Sequence, residues 1–513
     1  MSSTPEVQHS AESIIAESIE PSPLATPVFS SSAHLNPEDA KPEHPHEDIQ
    51  PGPQTILEDE SSKTGDPEKS GATTQSAPAQ APGAPPDGGF KAWMVVLGAF
   101  CGLFVSFGWI NCEYIVGFVP LDVVWALSSI WIMLTAGFAG IGVFLDYYKT
   151  HQLQDLPTST VTWITSLEIF MMFFGGPIVG VFFDNFGPRW ILIAGTFFHV
   201  FGLMMVSISK EYYQFILAQG VCSPIGTSAI FHGCLTSVST WFGRRRALAL
   251  GVTTCGSSVG GVIFPIMVAR LIPIVGFGWT MRICGFLGLG LLIIANVTVQ
   301  SRLQHHRKPF RPLDFVRPLR ELPFLLTTAG TFFVYWGLFL PFAFIPTQAE
   351  RYGMSAYLAS YLIPILNAAS ILGRLVPPYL ADLFGRFNLM ILTSLFSVII
   401  VLALWLPSRS NAPAIVFTSL YGFSSGAAVS LAPALVAQIS DMREIGVRSG
   451  TYFCIVSFAA LTGMPIAGAL LPDPLHGSYL KLEIFCGVVM FGGVLFYLWA
   501  RGRISGWGLL HKV

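Results

Sequence analysis

Long apolar stretches recur along the chain from residue 92 onwards, and polar connections separate them. Each stretch is close to the 20 or so residues that a helix needs to cross the hydrocarbon core of a bilayer. The pattern therefore predicts twelve membrane-spanning helices. They are placed near residues 92–112, 161–182, 190–209, 213–237, 247–270, 279–300, 324–345, 357–380, 388–406, 413–437, 448–470 and 482–500.

The composition agrees with this pattern. Hydrophobic residues make up 52% of the chain and charged residues only 11%, whereas a soluble domain carries roughly a quarter charged residues. Together with a mean hydropathy of +0.59, this predicts an all-α polytopic membrane protein surrounded by lipid. The eight cysteines lie in or beside apolar runs without metal-ligand spacing, so we expect small packing residues and no metal site or cofactor.

The order of apolar and polar segments predicts five regions. Residues 1–86 contain 14 acidic residues and only three Lys, which is typical of a disordered acidic tail. Because no basic and apolar leader pattern precedes this tail, we expect no cleavable signal peptide. Residues 87–300 hold the first six helices and residues 324–500 the second six. The polar stretch 301–323 connects these halves, and residues 501–513 form a C-terminal tail.

Basic residues set the expected orientation. The triplet Arg244, Arg245 and Arg246 and six basic residues of the 301–323 connection fall on the same side of the membrane in the twelve-helix arrangement. Because Lys and Arg concentrate in cytosolic loops, we expect both termini to be cytosolic. Two six-helix halves with a basic connection between them are the layout of many secondary transporters.

A short motif occurs twice, each time after the second helix of a half. The two copies read "GVFFDNFGPRW" and "PYLADLFGRFN". An acid at a helix end and a base beyond a tight glycine turn can pair across a helix interface, which suggests a gating role. This repeat resembles the loop motif of the major facilitator superfamily. The residues concerned are Asp184, Gly187, Arg189, Asp382, Gly385 and Arg386.

Two further stretches resemble signatures of the monocarboxylate-transporter-like family, in its fungal branch. They read "PPDGGFKAW" and "WFGRRRALALGVTTCGSSVGG". The resemblance implies a twelve-helix fold of two pseudo-symmetric halves, a small-molecule substrate bound between them, and a plasma-membrane location. With no nucleotide-binding loop and no soluble catalytic domain, neither an enzyme nor a nucleic-acid partner is expected. The signature residues are Asp87, Gly88, Gly89, Trp93, Arg244, Arg245, Arg246 and Gly251.

Two charged residues lie well inside predicted spans, where a charge is costly and marks a functional site by default. Arg374 resembles a substrate-linked arginine of the family, and a guanidinium binds a carboxylate through two parallel hydrogen bonds; the alternative is a structural ion pair. Glu168 is a candidate proton carrier, although it could also line a cavity or pair with Arg374. Asn111 and Asn367 are candidate hydrogen-bonding groups beside the substrate.

The sequence departs from the lactate carriers of the resembled family at two positions. Asn111 stands where those carriers have a lysine late in the first helix, and Ser370 stands where they have an aspartate one turn before the arginine. We therefore expect another organic acid or metabolite as substrate, with export of a fungal secondary metabolite as the leading interpretation. The alternatives are uptake of a monocarboxylate or vitamin-like nutrient, and a membrane sensor that transports nothing.

Residues 113–140 form an anomalous insert. The family pattern runs directly from "GWINC" into "IGVF", whereas here the two are separated, and an extra crossing at 123–145 would reverse the orientation of every later loop. Their codons are compatible with splice signals. Cys112, Glu113 and Tyr114 can encode a donor, Leu134 and Thr135 a branch point, and Ala139 and Gly140 an acceptor. The two explanations are a retained intron and a genuine re-entrant or extracellular hairpin.

We predict that the main transcript lacks the bases that encode residues 113–140, because their excision rejoins Cys112 to Ile141 in frame. Sequencing the messenger RNA across this junction tests the prediction. A dominant message that keeps these bases would establish the insert as part of the protein.

Overall fold

The structure is a computed structural model that describes residues 85–111, 144, 147–148, 151–305, 307, 309, 311, 313–359, 361–471, 477–506 and 512. Residues 1–84 of the predicted acidic tail and the anomalous insert at 113–140 lie outside the described residues.

Helices dominate the described chain, and eleven of them are long and apolar enough to cross a membrane. The longest, Arg246–Thr298, has 53 residues and would extend about 80 Å as one straight helix, far more than a bilayer's thickness. Gly276 interrupts it with φ 78° and ψ 165°, a left-handed backbone that glycine adopts readily. It therefore provides two spans, which brings the number in this part of the chain to twelve.

The twelve helices are numbered in chain order. Their bounds are α1 Phe90–Asn111, α2 Thr160–Phe186, α3 Pro188–Val206, α4 Tyr212–Trp241, α5 246–275, α6 277–298, α7 Leu322–Arg351, α8 Leu362–Phe384, α9 Arg386–Trp405, α10 Asn411–Gln438, α11 Ile445–Leu470 and α12 Leu480–Ser505.

These bounds confirm the predicted all-α fold and the predicted placement of the spans. Two details differ. The 301–323 connection carries a short helical turn at Leu313–Val316 and a 3₁₀ turn at Arg317–Arg320, and α7 continues to Arg351, beyond the expected end at 345. The apolar period locates a span well, but the helix can continue into polar residues beyond the membrane.

The two halves, α1–α6 and α7–α12, meet along two seams. One seam joins α2 to α11 and the other joins α5 to α8. Glycines make the first seam close, because a Cβ at Gly176 would lie 2.7 Å from the carbonyl oxygen of Gly450, and one at Gly180 would collide with Gly446. Small residues let helix backbones approach in this way.

Within the first half, α1 packs along α5 through a series of glycines. A Cβ at Gly256 would collide with the carbonyl oxygen of Phe100, and one at Gly260 would collide with that of Phe104. A Cβ at Gly261 would lie 2.8 Å from the Cβ of Asn111, at the end of α1. These glycines let α1 and α5 approach closely, and α5 lies between α1 on one side and α8 on the other.

Substitution of Gly256 by alanine should destabilise the bundle, because the added methyl meets rigid backbone of α1. Overpacking of this kind costs about 1–3 kcal/mol. Gly290→Ala is the matched control, since a Cβ at this position in α6 has nothing within 4 Å. Thermal unfolding in detergent should show a lower midpoint for Gly256→Ala and an equal or higher one for the control. Equal midpoints for both variants would show that α1 can move aside.

Candidate functional site

Arg374 lies near the middle of α8 and reaches across the α5–α8 seam. Its side chain is buried, with 4% of its surface exposed. One terminal nitrogen donates hydrogen bonds to the carbonyl oxygen of Thr254 and to the hydroxyl of Ser257, both on α5. A cation of the second half is thus held by polar groups of the first half, at mid-depth of the bundle.

The charge of Arg374 is not balanced by a nearby acid. In the part of the chain that the structure describes, no carboxylate lies within 4.0 Å of its guanidinium, and its buried Nε has no hydrogen-bond acceptor. A buried charge with incomplete partners is costly. The guanidinium therefore has unused capacity to bind an anion, and the expected alternative of a structural ion pair with Glu168 is not formed.

Asn111 contacts the same serine, Ser257. Its amide donates to the carbonyl oxygen of Ser257 at 3.3 Å, while the Ser257 hydroxyl accepts from Arg374. Asn367 is buried on α8, seven residues and about two turns before Arg374, so both residues project from the same helix face. The structure thus connects Asn111 and Arg374 through Ser257 of α5, and it places Asn367 about two turns further along α8.

Glu168 lies elsewhere, buried on α2. It is seven residues before Gly175, whose missing side chain leaves room for Ser228 of α4, and this spacing places Glu168 on the face towards α4. His199 on α3 is buried, and its Nδ1 is hydrogen-bonded to the Ser223 hydroxyl at 2.9 Å.

The basic end of the bundle, where α2 meets α3, α4 meets α5, α8 meets α9 and α10 meets α11, contains the repeated motif. The carboxylate of Asp382, at the end of α8, accepts the backbone N–H groups of Ala247 and Leu248 at 3.1 and 2.9 Å. These are among the first N–H groups of α5, which have no partner within the helix. The negative charge of this carboxylate is also stabilised by the positive end of the α5 helix dipole.

Asp184 makes the equivalent contact at the other seam. Its two carboxylate oxygens accept the N–H groups of Gly446 and Val447, each at 2.9 Å, at the start of α11. Both aspartates therefore connect a helix end in one half to a helix start in the other half. The two halves are joined at the basic end by two symmetry-related contacts.

The two basic residues of the repeat behave differently. Arg386 pairs with Asp382 at 2.9 Å, four residues away, and donates to the carbonyl oxygen of Gly243 at 2.5 Å. Arg189 is exposed, and no ion pair joins it to Asp184 among the described residues. The reason is register: Arg189 follows its aspartate by five residues, so the expected acid–base pair forms in only one of the two copies.

The two signature stretches contact each other directly. Asp87 has φ 53°, and its carboxylate accepts the N–H groups of Gly243 and Arg244 at 2.6 and 2.7 Å. Trp93 packs edge-on against Phe242, with ring centroids 5.5 Å apart. The start of the described chain thereby holds the α4–α5 turn, next to the Asp382 contact.

Arg246 adds a second contact between the halves at this turn. It is buried and donates to the carbonyl oxygen of Ala437, near the end of α10, at 2.8 Å. Arg244 and Arg245 are exposed. Of the triplet predicted as a cytosolic anchor, one member thus packs between the two halves.

Sequence reasoning missed several residues of the site. Thr254 and Ser257 carried no charge signal, although they hold Arg374. Outside this site, Glu483 is a further buried acid: in α12 its carboxylate accepts a hydrogen bond from the side chain of Gln348 in α7. It was overlooked because the predicted span began at residue 482, which placed this acid at the membrane edge.

The Major Facilitator Superfamily matches residues 127–453, more than half of the chain. The chain belongs to the major facilitator superfamily. Among its relatives, an MFS-type transporter of Gibberella moniliformis is 48% identical over 431 residues, which cover 83% of this chain and 94% of the relative. Membership of this superfamily confirms the expected twelve-helix fold. It also identifies the chain as a multi-pass membrane protein of the transporter class.

Two other relatives in the superfamily have names that state what they export. The fujikurins efflux protein of Gibberella fujikuroi is 40% identical, and the match covers 81% of this chain and 84% of that protein. The aspyridones efflux protein apdF of Emericella nidulans is 37% identical, with 80% and 78% covered.

A solved structure supports the fold independently. The crystal structure of the human organic anion transporter MFSD10 (TETRAN) matches with a TM-score of 0.61 at 15% identity, over 81% of this chain and 100% of that chain. At this identity the likeness shows the fold alone.

Proposed function

We propose that this protein is a secondary active transporter that exports a small organic anion, a fungal secondary metabolite, by alternating access. The observation that carries the proposal is Arg374, a buried cation that reaches from one half of the bundle to the other and has unused hydrogen-bonding capacity. Its position near the middle of α8 suits the midplane substrate site of such transporters.

The contacts of Arg374 suggest how binding and movement are connected. A carboxylate that binds the guanidinium competes with Thr254 and Ser257 for the same donors. Replacing contacts between the halves with contacts to substrate weakens the α5–α8 seam, and the two halves can then rock about the bound anion. Asn111 and Asn367 provide further hydrogen bonds in this region.

Export is favoured by the relatives. Proteins named for efflux of fujikurins and aspyridones resemble this chain over most of its length. We assign the chain to the monocarboxylate-transporter-like branch, because its signature residues Asp87 and Arg246 both act at the α4–α5 turn. Asn111 and Ser370 replace the lysine and aspartate of the lactate carriers, so the substrate is another acid.

Coupling and location complete the proposal. Glu168 is our candidate for the carrier of a coupled proton, because it is a buried acid on a helix that contacts the opposite half. We place the protein in the plasma membrane with both termini cytosolic. The basic end carries Arg244, Arg245 and the basic central connection, in agreement with the distribution of charge across membranes.

Binding by purified protein tests the role of Arg374. The probes are a panel of aromatic monocarboxylic acids and the matched primary carboxamides. Loss of a hydrogen-bonded charge pair costs about 1.5–3 kcal/mol, so Arg374→Ala should weaken binding of the acids roughly 10- to 150-fold. Carboxamide binding should change little. Arg374→Lys should recover part of the affinity, because it keeps the charge but not the fork.

Arg282→Ala is the control, since Arg282 binds Ser207 at the opposite end of the bundle. Acid binding that is unaffected in Arg374→Ala would remove this residue from the substrate site. In proteoliposomes with and without a pH gradient, transport towards the basic end instead of away from it would favour the uptake alternative.

A further inference from the structure

The two copies of the basic-end motif differ at one register position. Each copy places a glycine three residues after its aspartate, Gly187 after Asp184 and Gly385 after Asp382. The next residue is Arg386 in the second copy, and it holds both Asp382 and the carbonyl oxygen of Gly243. In the first copy the next residue is Pro188, which has no donor.

The central connection contributes a donor at this point. The imidazole Nδ1 of His305 lies 3.2 Å from the carbonyl oxygen of Asp184. A carbonyl only accepts, so Nδ1 carries the proton in this contact. This carbonyl belongs to the last turn of α2, where backbone acceptors lack partners within the helix and basic side chains bind well.

The imidazole also fills the space around the glycine turn. Its ring lies 3.0 Å from the position that a Cβ on Gly187 would take, and it packs edge-on against Phe183, with ring centroids 5.5 Å apart. Two residues further along, the guanidinium of Arg307 lies 5.3 Å from the ring centre of Phe186. The central connection therefore binds the end of α2 through three contacts: one hydrogen bond and one ring contact of His305, and one cation–π contact of Arg307.

The same segment touches the closed junction of the two halves. Leu303 packs against a small apolar cluster at the basic end, to which both halves contribute. The cluster consists of Phe183, Ile191, Ala229, Ala437 and Ile445. A segment that binds the α2–α3 turn with His305 and this cluster with Leu303 stabilises the arrangement in which the halves meet.

We propose that His305 is a positioning residue for the basic-end gate, by which we mean the contacts of Asp184 and Asp382 between the halves. Its bond to the backbone carbonyl of Asp184 supports the α2–α3 turn, as the bond of Arg386 to the Asp382 carboxylate supports the α8–α9 turn. The central connection is then a working part of the gate as well as a link between the halves. The proposal rests on the proposed function only in that the gate must open during transport. Its test is a conformational measurement that needs no substrate.

The test uses the full chain with Ala437→Cys as a reporter, because Ala437 is 1% exposed in the cluster. Labelling of position 437 by a water-soluble maleimide is quantified by mass spectrometry, which separates it from the native cysteines. His305→Phe keeps the ring and removes the donor. Loss of one hydrogen bond should raise the labelling rate roughly two- to tenfold, and His305→Ala should raise it at least as much.

A rescue variant tests whether the lost polar contact at the α2–α3 turn causes the increased labelling, or whether the His305 variants merely loosen the central connection. Pro188→Arg places an arginine at the position equivalent to Arg386, and in the His305→Phe background it should return labelling towards the reporter's own rate. His151→Ala, at the opposite end of the bundle, should leave labelling unchanged. Unchanged labelling in both His305 variants, or increased labelling that Pro188→Arg does not reverse, would overturn the proposal.

Discussion

A carboxylate at the end of a helix in one half binds the first N–H groups of a helix in the other half, and this contact occurs twice. Asp382 holds the start of α5, and Asp184 holds the start of α11. Such bonds are charge-assisted and act together with the helix dipole. Because both contacts lie at the basic end, they define one end of the bundle as closed and leave the mid-depth seam to other interactions.

Away from the basic end, towards the middle of the bundle, the two seams differ in chemistry. The α2–α11 seam continues as backbone-to-backbone packing at Gly176 and Gly450, where no substrate group could enter without separation of the helices. The α5–α8 seam continues as polar contacts of Arg374. A substrate anion can therefore replace Thr254 and Ser257 as the partner of Arg374. The glycine contacts, in contrast, depend only on whether the two halves are packed together. Binding and closure are thus assigned to different parts of the interface.

The sequence predicts those features that depend on a residue's own chemistry or on helix period. Span positions follow from the length of apolar runs, and Arg374 is conspicuous because charge is rare in a span. Features that depend on the rotation of one helix against another could not be predicted. The partners Thr254 and Ser257 carry no distinguishing signal, and the exposure of Arg189 results from a single residue of register relative to Arg386. His305 acts through a connection whose path no local pattern specifies.

A distance across the closed basic end shows whether Asp184 and Asp382 hold the two halves together. Spin labels on Arg189→Cys in the first half and Arg443→Cys in the second half, both exposed, report the separation of the halves by pulsed electron paramagnetic resonance. We expect a short distance that is largely replaced by a longer one when Asp184→Asn and Asp382→Asn are combined. Asp441→Asn, which removes only a local turn contact, should leave it short. An unchanged distance in the double variant would show that these two carboxylates do not hold the basic end closed.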